Sequence, residues 1–136
     1  MSWNETVIAE FRANNGDVTT GGFGRSLVLL HSLGAKSGQE RINPVLGRRS
    51  GEDWVIAASA AGAPAHPAWY HNLLAHPDTT IETADAGTVP VSASELTGAE
   101  YDLAWAGFVN QSAAFVEYQE KAGSRKIPLV LLRRRG

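Results

Sequence analysis

The segment SLVLLHSLGAKSGQERINPVL (26–46) decides the fold, because it contains two apolar runs joined by a turn. SLVLLHSL (26–33) is rich in aliphatic residues, GAKSGQ (34–39) supplies turn residues, and ERINPVL (40–46) is apolar again. Two such runs around a short glycine-containing turn predict a β-hairpin. Because Pro44 cannot donate a ladder hydrogen bond, it predicts a sheet edge or a bulge in the second strand.

Four other segments have the short apolar pattern of strands, and three have a helical pattern. The predicted strands are WVIAASA (54–60), TIETA (80–84), TVPVSASEL (88–96) and KIPLVLLRRR (126–135). The predicted helices are an N-terminal helix within 1–15, a short helix at 67–75, and one or two helices within 98–123. About six antiparallel strands joined mostly by hairpins predict a mainly β fold, a barrel with flanking helices packed outside it.

The composition favours one domain over residues 1–136 and argues against nucleic-acid binding. Hydrophobic residues make up 43% of the chain, which is enough for a single packed core. The formal charge of −2 and the pI near 6.1 give no basic excess. The chain has no cysteine, no charged leader before an apolar run, and no apolar run of roughly 20 residues, so we expect a cytoplasmic protein without a transmembrane segment.

The segment HPAWYHNLLAHP (66–77) contains three histidines but lacks the spacing of a metal site. His66, His71 and His76 are five residues apart, and five helical steps rotate about 140° around the helix axis. Zinc-binding pairs on a helix need a spacing of three or four residues and a further ligand. We therefore predict no metal.

Prolines delimit the short helix at 67–75. Pro67 suits the first helical position, where its missing N–H costs nothing, and Pro77 prevents continuation. Trp69 and Leu73 then share one helix face. Buried aromatic residues usually serve packing, so the pattern leaves open whether Trp69 is only a core residue or also a pocket wall.

Two neighbouring features are suited to ligand binding, and each has a structural alternative. AASAAGAPAH (57–66) has few bulky side chains just before a helix N-terminus, where a flat ring or an anion can approach the main chain. The alternative is a tight loop in which Gly62 takes a positive φ. In the first hairpin, Lys36 and Arg41 are suited to bind an acidic group of a ligand. The alternative, which is equally common, is that they are solvent-exposed charges without a ligand.

Three segments carry motifs in a fixed order: GAKSGQERINPV (34–45), SAAGAPAHPAWYHNLLAHP (59–77) and EYQEKAGSRKIPLVLL (117–132). The first resembles a Gly-Arg-x-Ser-Gly-x-x-Arg-x-x-Pro pattern, and the second resembles Ser-x-Gly-Gly followed by Pro-x-Trp-Tyr-x-Asn-Leu-x-Ala-x-Pro. The third resembles a terminal Tyr-Gln-x-Lys-x-x-x-Arg-x-Ile-Pro-Val strand. Together they resemble the deazaflavin (F420)-dependent nitroreductase family of actinobacterial oxidoreductases. The resemblance implies a split β-barrel like that of flavin-mononucleotide-binding proteins.

The resemblance also implies a cofactor site, with the deazaflavin ring in a groove of the barrel and its acidic tail over the first hairpin. The implied tail-binding residues are Ala35, Lys36, Ser37 and Arg41. The implied groove residues are Ile42, Asn43, Pro44, Val45, Leu46, Ala57, Ala58, Ser59, Ala60, Ala68, Trp69, Tyr70, His71, Asn72 and Phe115.

The chain departs from the family pattern near the tail and ring sites. Ala35 replaces the usual arginine, and Ala60 and Ala61 replace bulkier or glycine residues. We expect weaker tail binding, because one well-formed charge-assisted contact contributes roughly 1.5–3 kcal/mol. Arg48 and Arg49 are candidates to replace the lost contact.

The implied activity is hydride transfer from reduced F420 to a quinone or to a planar conjugated enone or nitro acceptor. Ser59 is a candidate donor to a developing oxyanion, and Tyr118 is a candidate wall or proton source. A purely structural role is as common for such hydroxyls. Phe115 and Ser112 stand where some nitroimidazole-reducing members carry tyrosines, which argues against nitroimidazole prodrugs as acceptors.

Two other functions fit the same residues. One is a protein that binds F420 or a hydrophobic ligand without turnover, and the other is a flavin mononucleotide (FMN)-dependent reductase of the same fold. For partners, the barrel face carrying Trp54 is a candidate homodimer interface. The run 133–135 is a candidate for weak contact with an anionic membrane surface, although a solvated strand edge is the commoner explanation.

Overall fold

The computed structural model describes residues 2–20, 23–59 and 62–135. Within these ranges the strands are β1 (Leu27–Leu33), β2 (Glu40–Ser50), β3 (Asp53–Ala57), β4 (Asp78–Thr83), β5 (Gly87–Glu95) and β6 (Leu129–Arg134). The helices are α1 (Trp3–Ala13), α2 (Ala68–Ala75), α3 (Gly98–Gln111) and α4 (Ala114–Ala122). Residues 98–123 therefore form two helices, and the third predicted strand ends at Ala57 rather than continuing to 60.

The six strands form a closed antiparallel barrel in the order β1-β2-β3-β6-β5-β4, and β4 pairs with β1 to close it. The predicted barrel with flanking helices is confirmed. Every second residue of each strand points into the barrel. These inward residues are mostly branched aliphatic and aromatic side chains, and they fill the interior. Trp54 belongs to this interior and is only 3% exposed. The side chain of Trp54 therefore does not lie on an outer barrel face, where the candidate homodimer interface was expected.

The first half of β2 forms an open sheet edge. All of β1 pairs with Glu40–Leu46, but β3 pairs only with Gly47–Ser50. Residues 40–46 consequently have a strand partner on one side, which is where a residue without an N–H is tolerated. The prediction of an edge position for Pro44 is confirmed.

Two helical layers cover the outside of the barrel. Val7 and Phe11 of α1 pack with Leu27 and Leu29 of β1. The second layer joins α3 and α4 to the outer faces of β3 and β6, and its buried members are Val55, Ala57, Tyr101, Phe108, Phe115, Ile127 and Leu129. No helix in the described ranges is long and apolar enough to cross a membrane.

The helix predicted at 67–75 begins one residue later than expected. Pro67 is the N-cap, with an extended backbone (φ −64°, ψ 152°), and Ala68 is the first helical residue. Gly62 has φ +81°, and a Cβ there would lie 2.8 Å from the Tyr118 carbonyl oxygen. The loop alternative for this glycine is thus confirmed, because its backbone is left-handed and passes close to α4.

The carboxylate of Glu10 holds the segment after α1 in place through hydrogen bonds. Glu10 accepts hydrogen bonds from the Thr19 N–H at 3.0 Å, the Thr19 hydroxyl at 2.7 Å and the Thr20 N–H at 3.2 Å. Hydrogen bonding by Thr20 and Thr19 lowers the pKa of Glu10 from 4.5 to about 2. A depressed carboxyl pKa stabilises the folded state above the unfolded pKa, and this contribution is lost as the pH falls through the folded pKa.

We therefore expect Glu10→Gln to lower the Tm at pH 7 and to weaken the fall in Tm between pH 4.5 and about 2. Thermal unfolding followed by circular dichroism across this range measures both effects. Glu52→Gln, in the exposed turn between β2 and β3, is the charge-matched control. Melting temperatures of Glu10→Gln that run parallel to those of the unchanged protein would contradict the expectation.

Candidate active site

A cavity of about 750 Å³ lies between the barrel wall and the helices. It is bordered by β1, β2 and β3 and by all four helices, and its lining residues are Trp3, Asn4, Val7, Phe23, Ser26, Leu27, Pro44, Val45, Leu46, Ala57, Ser59, Trp69, Gln111, Ser112, Phe115 and Tyr118. This volume falls within the roughly 300–1,000 Å³ typical of small-molecule sites.

The cavity has an apolar floor and a polar mouth. Leu27, Val45 and Phe115 are buried, whereas Asn4 and Gln111 are exposed. The open edge of β2 explains the position of the floor, because no neighbouring strand covers residues 44–46 there. A flat molecule can therefore lie against the barrel wall with one edge toward solvent.

No Asp, Glu, Lys, Arg or His is among the described residues that line the cavity. Its polar groups are side-chain hydroxyls and amides and indole N–H groups, which are neutral hydrogen-bonding groups. Burying a charged ligand group here would be unfavourable without an opposite charge. The cavity consequently suits an uncharged aromatic ring system.

The structure brings together eight of the residues that the sequence placed at the site. They come from four separate parts of the chain and all line this cavity: Pro44, Val45, Leu46, Ala57, Ser59, Trp69, Phe115 and Tyr118. Trp69 also packs in the barrel interior, so the packing and pocket-wall interpretations both hold for this side chain.

The other expected residues that the structure describes lie outside the cavity lining. Ala35, Lys36, Ser37 and Arg41 are exposed on and beside the β1–β2 turn. Ile42 packs against the α1 cluster, and Asn43 is half-buried. Ala58, Ala68, Tyr70, His71 and Asn72 belong to α2 or to the segment before it. Ala60 lies outside the described residues.

Asn72 connects the exposed turn to α2. Its Oδ1 accepts a hydrogen bond from the Ala35 N–H at 3.0 Å, and its Nδ2 donates to the Ser32 hydroxyl at 3.5 Å. Asn72 is only 8% exposed, so this link is protected from competing water. The turn carrying Lys36 is thereby held against the helix that supplies Trp69 to the cavity.

Tyr70 and His71 point to surroundings other than the cavity. The Tyr70 hydroxyl donates a hydrogen bond to Glu95 on β5. Burial and this hydrogen bond raise the pKa of Tyr70 to about 12. His71 is exposed and contacts the rings of His66 and Tyr70 edge-on. In the ranges 2–20, 23–59 and 62–135 no cluster of three or more His, Asp or Glu residues could hold a metal ion.

Arg48 and Arg49 do not replace the missing arginine of the turn, so that expectation is wrong. Arg48 donates to the carbonyl of Gly107 on α3. Arg49 pairs with Asp85 at 2.6 Å and stacks over Trp54 at 4.3 Å from the ring centre. Both guanidinium groups lie beyond the half of β2 that faces the turn, because β2 is extended and carries them away from it.

Arg125 is a central residue to which the sequence reasoning assigned no role. Its guanidinium donates to the carbonyls of Ala58 at 3.0 Å, Ser59 at 2.8 Å and Ala63 at 2.9 Å. It also lies 2.9 Å from Nδ1 of His66, and burial together with this positive charge lowers the pKa of His66. Arg125 thereby fixes both ends of the segment between β3 and α2.

The α1 side of the cavity and the end of α3 were also missed. Trp3 and Asn4 contribute from the first turn of α1, and Gln111 from the last residue of α3. Trp3 is 55% exposed and contacts Phe23 edge-on. The sequence shows a tryptophan in the first turn of the N-terminal helix. That Trp3 is exposed and borders the cavity becomes visible only in the folded structure.

A six-stranded antiparallel barrel, with a cavity between its wall and outer helices whose described lining residues are uncharged, defines a small-molecule-binding protein of the split-barrel class. The chain belongs to the F420H(2)-dependent quinone reductase family, whose family model matches residues 3–134. F420 is the cofactor of this family, and the resemblance inferred from the three motifs is confirmed.

Relatives and solved structures agree with this assignment. An F420H(2)-dependent quinone reductase of Mycobacterium tuberculosis is 38% identical over 112 residues, which cover 79% of this chain and 73% of that protein. The structure of an F420-H2 dependent reductase (FDR-A) matches with a TM-score of 0.73 and 34% identity, over 80% of this chain and 95% of that one. A structure described as a domain-swapped dimer matches with a TM-score of 0.74 and 30% identity, over 95% and 97% of the two chains.

Proposed function

We propose that this chain catalyses hydride transfer from F420H2 to a quinone-type acceptor bound in the 750 Å³ cavity. The observation that carries the proposal is the separation of charge in the site. The cavity lining has no charged side chain in the described part of the chain, whereas Lys36 and Arg41 are exposed on the adjoining hairpin. A neutral ring with an acidic tail matches both regions.

The lining of the cavity supports placing the deazaflavin ring there. Ala57 and Ser59 are small residues on its wall, so a planar ring can approach the main chain there. Val45 and Leu46 offer an apolar surface to the same space. Bound F420H2 would supply the hydride, and the protein would supply geometry, which requires the reacting atoms within roughly 3–3.5 Å of each other.

The tail would follow β2 outward from the cavity. Arg41 precedes Pro44 by three positions, about 10 Å along an extended strand. Lys36 is further out, on the turn that Asn72 holds to α2. The cations are therefore close enough to meet acidic groups on a tail without entering the ring site.

Ser59 and Tyr118 are the proposed polar contacts near the reacting atoms. Both line the cavity, and the carbonyl of Ser59 is already held by Arg125 at 2.8 Å. The hydroxyl of Ser59 would donate to an oxygen that gains negative charge during reduction. Tyr118 contacts Phe115 edge-on, which holds its ring at the wall.

We expect Lys36→Ala to weaken F420 binding by roughly tenfold or more, because a charge-assisted contact contributes about 1.5–3 kcal/mol. Titration with oxidised and with reduced F420 measures the dissociation constants. Lys126→Ala, whose ammonium lies over the ring of Tyr101 away from the turn, is the charge-matched control. Equal affinities for Lys36→Ala and the unchanged protein would exclude the hairpin as the tail site.

Anaerobic mixing with F420H2 and menadione tests the activity itself. Return of the absorbance of oxidised F420 is the expected result, and no change across a panel of quinones and enones would contradict the proposal. Tight binding of F420 without turnover would instead support the binding-protein alternative. Preferential binding of FMN would support the FMN alternative.

The domain organisation, the oligomeric state and the cellular location of the protein are part of the same proposal. We propose one F420-binding unit over residues 1–136, working in the cytoplasm, with a homodimer as a state to be tested by sedimentation. The domain-swapped dimer among the related structures supports testing that state. Membrane contact through 133–135 has less support, because Arg135 donates to the carbonyls of Val91 and Thr79.

A further inference from the structure

Two polar side chains from distant parts of the chain meet at the cavity mouth. Ser26 lies directly before β1, and Gln111 is the last residue of α3. The Gln111 Nε2 donates a hydrogen bond to the Ser26 Oγ at 3.2 Å, and both residues line the cavity. Gln111 is exposed and Ser26 is half-buried, so the pair faces the opening.

The direction of this hydrogen bond leaves donors for a ligand. Because the Ser26 Oγ accepts from Gln111, the hydroxyl proton of Ser26 is directed away from that amide. The Gln111 amide also carries a second N–H. The pair therefore presents two adjacent neutral donors, and Leu27 beside them adds an apolar surface.

A carbonyl oxygen of a planar, uncharged ring matches this arrangement. A quinone has an apolar ring and oxygens that only accept hydrogen bonds, whereas a carboxylate or phosphate would need a cation, and none lines the described part of the cavity. We propose that Ser26 and Gln111 form the subsite that binds one carbonyl oxygen of the acceptor. This inference rests on the proposed function, which places the quinone in this cavity.

Isothermal titration calorimetry of the protein saturated with oxidised F420 tests the subsite with two ligands of similar shape. Menadione has two carbonyl groups, and 2-methylnaphthalene has the same ring skeleton with none. Ser26→Ala and Gln111→Leu should each weaken menadione binding by roughly three- to tenfold and leave 2-methylnaphthalene binding unchanged. Asn110→Ala, exposed on the preceding position of α3, should change neither.

The double variant tests whether the two residues act as one unit. Because each residue orients the other, Ser26→Ala combined with Gln111→Leu should lose little more than the larger single loss. The affinity for F420 should stay constant in all variants, which separates the subsite from the cofactor site. A KM for menadione that rises while kcat is retained would agree with binding of the ground-state carbonyl.

Equal losses of affinity for menadione and for 2-methylnaphthalene would overturn the inference. Unchanged menadione affinity in both single variants would also overturn it, as would the absence of menadione binding by the unchanged protein. The outcome is separable from that of the proposed function. If binding depends on the carbonyl groups but F420H2 is not oxidised, the subsite stands and the reductase activity fails. If F420H2 reduces menadione equally well in every variant at low menadione concentration, the activity stands and the subsite fails.

Discussion

Arg125→Ala is expected to lower the free energy of unfolding by at least about 3 kcal/mol, because three charge-assisted hydrogen bonds to backbone carbonyls are lost together. The carbonyls of Ala58, Ser59 and Ala63 would all lose their donor. The same change is expected to slow hydride transfer by about 100-fold, since a misplacement of 1 Å at a reacting centre has an effect of that size. Chemical denaturation and stopped-flow reduction of menadione measure the two effects.

Two variants separate positioning from stability. Arg125→Lys keeps the charge but cannot reproduce a planar group with several fixed donors, so less than half of the rate should return. Gln119 stabilises the segment that carries Arg125, because it donates to the Arg125 carbonyl and accepts from the Ile127 N–H. Gln119→Ala should therefore reduce stability with little effect on the rate. A fall in rate that follows stability equally in Arg125→Ala and Gln119→Ala would make Arg125 merely structural.

Much of the barrel could be predicted from local sequence, because each hairpin carries its own turn and apolar pattern. The first hairpin and the strands around residues 85–87 were of this kind. The extension of β2 through Ser50 could not be predicted from its polar residues. It depends on pairing with β3, where Arg49 lies opposite Trp54 and its guanidinium stacks over that ring.

The site was predictable where one continuous segment forms a wall and unpredictable where distant segments meet. Residues 44–46 and Trp69 were identified because each lies in a recognisable motif, and both line the cavity. Ser26 and Gln111 are 85 residues apart, and neither belongs to a motif. Their proximity follows from the docking of α3 on the barrel, which is a property of tertiary packing rather than of local pattern.

The roles of arginines were the least accessible from sequence, because a long side chain can reach several partners. Arg48 and Arg49 are adjacent to the predicted groove, yet one binds α3 and the other binds Asp85. Arg125 is more than 60 residues from the carbonyls that it holds. Guanidinium groups with several donors are suited to such carbonyl clusters, but only the folded chain selects the partners.

Ala57→Phe is expected to weaken F420 binding by at least about 100-fold, because a benzyl side chain would occupy the ring site. Ala57 lies at the end of β3, lines the 750 Å³ cavity, and is 6% exposed. Because Ala57 is also a buried member of the α3–α4 layer, the larger side chain is expected to lower the free energy of unfolding by about 1–3 kcal/mol through overpacking, which leaves the protein folded. F420 titration and chemical denaturation give the two quantities.

The matched control places the same bulk in another cavity. Ala104 lies on α3 and lines a separate cavity of about 340 Å³ between α3 and the outer faces of β2 and β3. Ala104→Phe should leave F420 affinity unchanged. Undiminished F420 binding by folded Ala57→Phe would place the ring elsewhere and remove the basis of the proposed activity. Equal losses in both variants would mean that bulk anywhere on the helical layer distorts the barrel, whereas loss in Ala57→Phe alone requires the ring to lie against β3.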